Sequence, residues 1–308
     1  MNTHGKVTVR GANMLFLTIF LLQFVVAMAG TVVFLLMGIY DENEMTEAIL
    51  LFTQLFAVLL PAVLYLKVKG VEVKQVLRLR SVRPLHLFLA VVVGISGQFI
   101  AQLLNLPILI ILSLLGEIPD YPIPIPRSIE ELAVSLLIVA VLPAICEEIM
   151  TRGIIMKAYE IRGTKAGIIL SALFFALMHG DIKNFFGPVF FGLTFGYLVV
   201  RTDSLIPGIV AHFCNNAFAL LLSFLQESEM YEVPFLESLW FFLIAVLVSV
   251  VLFISAILLV RNTTVIDMKE SISGTMEHIK AAFTNGPVVI SIVIFIVIQI
   301  SNIITMVA

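Results

Sequence analysis

From Met14 to Tyr40 the chain carries no Asp, Glu, Lys or Arg, and eight more apolar stretches follow. A helix rises about 1.5 Å per residue, so roughly 20 such residues cross the ~30 Å of bilayer hydrocarbon. The candidate spans are 13–40, 47–66, 85–115, 130–158, 165–180, 184–200, 204–226, 236–260 and 288–307. The fifth and sixth are short, and the count falls to eight if one of them is re-entrant. Hydrophobic residues make up 60% of the chain and charged residues 13%, against about 45–50% and 25% in soluble domains. A water-soluble core could not hide that much apolar side chain. The expected fold is all-α: a polytopic transmembrane helical bundle of 8–9 spans.

The charges between the spans alternate in kind. Lys6 and Arg10 precede the first span, and Asp41, Glu42, Glu44 and Glu47 follow it. Lys67 to Arg83 follow the second, while Glu117, Asp120, Glu130 and Glu131 follow the third. Glu227, Glu229, Glu232 and Glu237 follow the seventh. With the N-terminus inside, 16 of the 18 Lys and Arg residues fall on the cytoplasmic side, Arg127 and Lys183 being the exceptions. The positive-inside rule therefore predicts a multi-pass integral membrane protein with a cytoplasmic N-terminus. The charge asymmetry and lack of a targeting signal fit a prokaryotic cell membrane, and an endoplasmic-reticulum protein would look similar. The first stretch is too long for a signal-peptide core and reads as a retained span. Residues 70–83 read as a basic amphipathic segment on the inner membrane surface. The 117–126 stretch reads as an extended Pro-rich loop, and 261–286 as a polar connection with a short surface helix. Net charge is −3, which gives no footprint for nucleic acid. Cys146 and Cys214 lie in apolar runs and predict no disulfide framework.

Ionisable groups at bilayer depth are costly and mark function. Here they are Glu147, Glu148, His179 and His212, with Arg152 one turn beyond the glutamates and Asn215 and Asn216 beside His212. Glu148 and Arg152 stand at i,i+4 in the favourable order for an ion pair, leaving Glu147 on another face as a candidate general base. Phe175 and His179 share a helix face, as do His212 and Asn216. Each pair taken alone fits a structural contact. Together they form one constellation able either to ligate Zn²⁺ through Glu147, His179 and His212 or to position a water without metal. Gly163/Gly167 and Gly192/Gly196 fit G-x-x-x-G and predict close helix approach.

In this order, Glu147-Glu148-Ile-Met-Thr-Arg152, Phe175-Ala-Leu-Met-His179 and His212-Phe-Cys-Asn-Asn216 resemble the CPBP family of intramembrane proteases. That family includes the Rce1-type CaaX prenyl endopeptidases and bacteriocin-processing relatives. The likeness divides the chain into N-terminal spans (1–127), a catalytic core of about four helices (128–226) and C-terminal spans (227–308). It implies an intramembrane endopeptidase acting on a membrane-embedded or lipidated, CaaX-like substrate, in contact with membrane lipids. Glu147 would activate water with help from His179, and His212 and Asn216 would stabilise the oxyanion. Glu148, Arg152 and Phe175 would support the site, in a cavity opening toward the cytoplasm and to lipid. Zinc and a metal-free glutamate mechanism are equally open, and so is the oligomeric state. A catalytically silent scaffold or immunity protein that binds peptides or partner proteins is the alternative, and a proton-coupled transporter a third reading. One geometric requirement follows. If both spans start at the cytoplasmic face, His179 lies about 22 Å deep and His212 about 12 Å, so some displacement must bring them level.

Overall fold

The computed structural model describes residues 6–118, 124–227, 238–266, 269–270 and 274–307. The regular elements among these residues are all helices, without a strand. The helices are α1 (Val9–Met37), α2 (Glu42–Lys69), α3 (Val73–Val76), α4 (Pro84–Ser113), α5 (Ile129–Arg162), α6 (Thr164–Met178), α7 (Phe186–Thr202), α8 (Ile206–Glu227), α9 (Leu239–Thr263), α10 (Thr275–Phe283) and α11 (Gly286–Val307). Seven of them, α1, α2, α4, α5, α8, α9 and α11, are long and apolar enough to cross a membrane. The α6 and α7 helices have 15 and 17 residues, or about 22 and 26 Å of rise, short of a full crossing. Much of the 117–126 loop, with Asp120, and the acidic residues Glu229, Glu232 and Glu237 lie outside the described residues.

Local sequence sets the helix ends. Asp41 caps α2 by accepting from the Asn43 and Glu44 amides, and its other carboxylate oxygen accepts from Arg127 at 3.1 Å. The Glu44 amide first, and Arg127 second, hold this carboxyl below its ordinary range. Ser128 caps α5 through the Glu131 amide. Gly163, at φ 118°, ends α5 and turns the chain into α6. The expected Gly163/Gly167 packing motif therefore does not form, because Gly163 is a helix break and Gly167 lies against the preceding turn at Glu160 and Met156. The other pair does work as a close approach. A Cβ on Gly192 would stand 2.5 Å from the Ala172 Cα, so α6 and α7 touch backbone to backbone there. Gly94 does the same for α4 against α8, where a Cβ would meet the Ala211 carbonyl oxygen at 2.2 Å. Leu247, Val251, Ile254 and Leu258 leave α9 with an exposed apolar face suited to lipid.

The 70–83 segment is amphipathic as its pattern suggests, with Lys74, Arg80 and Arg83 exposed, but its buried face packs on the bundle. Val71, Val76 and Leu77 are buried in the main core. Arg78 is also buried, in a left-handed backbone conformation, pairing with Glu160 at the end of α5 and with Asp203 in the α7–α8 turn. Arg80 adds a second bond to Asp203, and the Arg78 and Arg80 carbonyls accept from the Leu205 amide and the Ser204 hydroxyl. Amphipathicity marks a segment with an apolar face. It does not tell whether lipid or protein covers that face, and here two acidic residues of the bundle claim the arginine. Residues 274–283 do supply the surface helix expected in the long polar connection.

Gly192→Leu should force α6 and α7 apart and lower stability by about 1–3 kcal/mol. Thermal unfolding in detergent would register this as a drop in midpoint, with Gly286→Leu, which has open space around it, as the neutral control.

Candidate active site

The three polar regions arrive on α5, α6 and α8 and converge in the bundle interior. Glu147, His179, His212, Asn215 and Asn216 all line one cavity of about 770 Å³. Glu147 and Glu148 are adjacent on α5 and point to different faces. Glu148 is wholly buried and pairs with the equally buried Arg152 one turn on. Arg152 donates also to the Thr151 hydroxyl at 2.9 Å, and its guanidinium carbon lies 4.5 Å from the Phe175 ring centre and 5.5 Å from that of Phe195. It is an interior residue, not a loop cation, so the inner-side tally of basic residues loses one member.

Glu148 faces α8 as well. Its Oε1 lies 3.1 Å from His212 Nδ1, while His212 Nε2 sits 3.9 Å from Glu147 Oε2. A carboxylate only accepts, so Nδ1 of His212 is the donor in that bond. Gly208 on α8 makes the approach of α5 possible, since a Cβ there would stand 2.9 Å from Glu148 Oε2. His179 closes α6, and its Nδ1 lies 2.7 Å from the Phe175 carbonyl oxygen. That carbonyl fixes Nδ1–H and leaves Nε2 as the acceptor of a neutral ring.

Phe175 also resolves the depth mismatch expected for the two histidines. Side chains on a helix lean toward its N-terminus, so His179 folds back over the preceding turn. The Phe175 ring centre lies 4.8 Å from that of His179 and 5.6 Å from that of His212. The expected offset is spanned by this aromatic bridge.

Asn216 donates through Nδ2 to the Val139 carbonyl at 3.1 Å, and Asn215 donates to Asn216 Oδ1 at 3.1 Å. The Val139 carbonyl is available for a local reason. Pro143, four residues later, has no N–H to return, and α5 widens to a π-helix over Leu136–Val141 just before it. The same pattern occurs in α2, where a π-helical stretch, Thr53–Leu59, precedes Pro61. That stretch carries Gln54, whose Nε2 donates to Glu147 Oε1 at 2.7 Å. Gln54 is 4% exposed and is the site residue that the motifs do not contain. Its only signal in the sequence is an amide in an otherwise apolar span.

The donor set does not fit a metal. Among the described residues no group of three His, Cys, Asp or Glu side chains has the spacing to hold one. His179 and His212 each keep Nε2 free, as a metal-ligating histidine would, but Glu147, His179 and His212 do not close around a common point.

Comparison with known proteins gives a family match for part of the chain. Residues 129–218 match the family Type II CAAX prenyl endopeptidase Rce1-like. Over that segment the chain is similar to this family. It is also 29% identical over 145 residues to the Bacillus subtilis (strain 168) protein named "Putative membrane peptidase YdiL". That alignment covers 44% of this chain and 57% of the relative, so the chain spans just over half the length of the relative it matches. No solved structure matches it. The CPBP resemblance and the apolar helices together make this an integral membrane protein. Gln54 and all of α1–α4 lie before the Rce1-like segment, and α9–α11 lie after it.

Breaking a buried pair strands a charge, at a cost of about 3–5 kcal/mol. Arg152→Met should therefore unfold the protein at a markedly lower temperature in detergent. The double change Arg152→Met with Glu148→Leu should recover part of that loss, because neither member of the ion pair is left buried without the other, although His212 Nδ1 loses its acceptor.

Proposed function

We propose that this protein is an intramembrane endopeptidase that hydrolyses a peptide bond with a glutamate-activated water. The observation that carries the reading is the convergence of Glu147, His179, His212 and Asn216 on one buried cavity, with the Glu147 carboxylate held in place by Gln54. In this reading Glu147 takes a proton from a water in the cavity, and the neutral His179 orients that water through the lone pair on Nε2. The water oxygen attacks the scissile carbonyl carbon and negative charge moves to the carbonyl oxygen. Asn216 has an N–H beyond the one given to Val139, and His212 offers Nε2–H when both its nitrogens are protonated. Each then donates to the oxyanion. Glu148 and Arg152 hold His212 and α5 in register. The tetrahedral centre collapses, the C–N bond breaks, and Glu147 returns its proton to the leaving amine. The substrate class that fits is a membrane-embedded or lipidated peptide, because the cavity lies within the helical bundle.

The test is cleavage of a quenched-fluorescent farnesylated CaaX peptide by detergent-purified protein. Glu147→Gln should reduce kcat by at least about 10³-fold, and His179→Ala by about 10²–10³-fold. A chelator should leave the rate unchanged. Cleavage that survives Glu147→Gln, or that a chelator abolishes, would contradict the mechanism. Folded wild type that cleaves no peptide of this or any other class would favour the silent-scaffold reading. Gln54→Leu should lower kcat by about 10-fold, the worth of a hydrogen bond to a charged group, while KM changes little.

A further inference from the structure

The cavity is one-sided. Of α2, which runs from Glu42 to Lys69, only the part from Glu42 to Gln54 lines it, and of α5 only Val139 to Glu147. The α4 helix contributes from Gln98 to Asn105 and α8 from His212 to Ser223. These are the first half of α2, the middle of α5 with nothing beyond Glu147, and the later parts of α4 and α8, and therefore the same end of the bundle in every case. Beyond Glu147 and His212 the opposite end is filled. Ile154, Ile155, Tyr159 and Phe174 are fully buried there, and the Arg78–Glu160–Asp203 cluster ties the segment before α4 across the ends of α5 and α7.

The two ends also differ in charge. Lys67 and Lys69 close α2, Arg162 closes α5, Arg201 and Arg261 stand at the ends of α7 and α9, and Arg80 and Arg83 precede α4. All of these lie at the filled end. At the cavity end stand Asp41, Glu42, Glu44, Glu130 and Glu131, and its two cations, Arg127 and Lys183, are paired with Asp41 and Asp181. Loops rich in Lys and Arg stay in the cytoplasm. A cavity that reaches only the acidic end then faces away from it.

We infer that the site takes its peptide from the extracytoplasmic side of the membrane. Its substrates are segments already translocated, or spanning with the scissile bond in the outer part of the bilayer. Peptides lipidated on the cytoplasmic face are not delivered to it. This reverses the cytoplasmic opening that the family likeness implies. The substrate class rests on the peptidase reading, whereas the sidedness rests only on the cavity and the charges.

Cysteine accessibility separates the two. Thr46 lines the cavity toward the acidic end and is half-buried, and Lys280 lies on α10 at the basic end. Thr46→Cys and Lys280→Cys would each be expressed in a bacterial cell membrane and treated with a membrane-impermeant maleimide, in intact cells and in inverted vesicles. Wild type gives the background from Cys146, which is buried, and Cys214, which is half-buried. Thr46→Cys should label at least tenfold faster in intact cells, and Lys280→Cys at least tenfold faster in inverted vesicles. Thr31→Cys, on α1 and also lining the cavity, serves if Thr46→Cys does not fold, with the same expectation. Labelling of the cavity cysteine mainly in inverted vesicles, or from neither side while Lys280→Cys labels normally, would overturn the inference. No turnover is needed, so a protein without peptidase activity would still return one of these answers.

Discussion

The wholly buried Glu148–Arg152 pair is the contact on which the interior depends. Two charges at that depth are tolerable only if they pair with each other and engage further polar partners, and here only Glu148 Oε2 and Arg152 Nε of the pair are left without one. Arg152 spreads its bonds over Glu148, Thr151 and the Phe191 carbonyl and lies against the faces of Phe175 and Phe195. Glu148 in turn holds His212. Through one ion pair α5 thus fixes α6, α7 and α8 to one another. The geometry of Glu147, one residue away on another helix face, follows from it.

The remaining site contacts come from irregular backbone. Regular α-helices satisfy their own carbonyls and leave little to offer a neighbour inside a membrane. The π-helical stretches before Pro61 and Pro143 change this. One places the Val139 carbonyl opposite Asn216, and the other places Gln54 opposite Glu147. Part of the site is therefore built from α2, outside the Rce1-like segment, so that segment alone does not contain the full constellation.

Much of this was legible in the sequence. Apolar run length gives the long helices because bilayer thickness is a fixed ruler. The rarity of charge in those runs singles out Glu147, Glu148, His179 and His212. Less legible was whatever depends on which neighbour covers a side chain. The basic pattern around Arg78 reads equally well as membrane surface or as protein interior, and Arg152, though its spacing paired it with Glu148, still counted among the inner-side cations until its complete burial was in view. Gly163 and Gly192 carry the same spacing motif, yet one breaks a helix and the other packs two together. Pro143 is plain in the sequence, whereas the widened turn before it, and the carbonyl that turn presents to Asn216, required the fold.

The central claim is that these side chains act as a single hydrolytic unit, and a double-mutant cycle on kcat tests it most directly. Groups that act on one transition state are strongly non-additive. Glu147→Gln combined with His179→Ala should therefore be about as slow as Glu147→Gln alone. If the two losses multiply, the residues act independently, and the account of one water held between them is wrong.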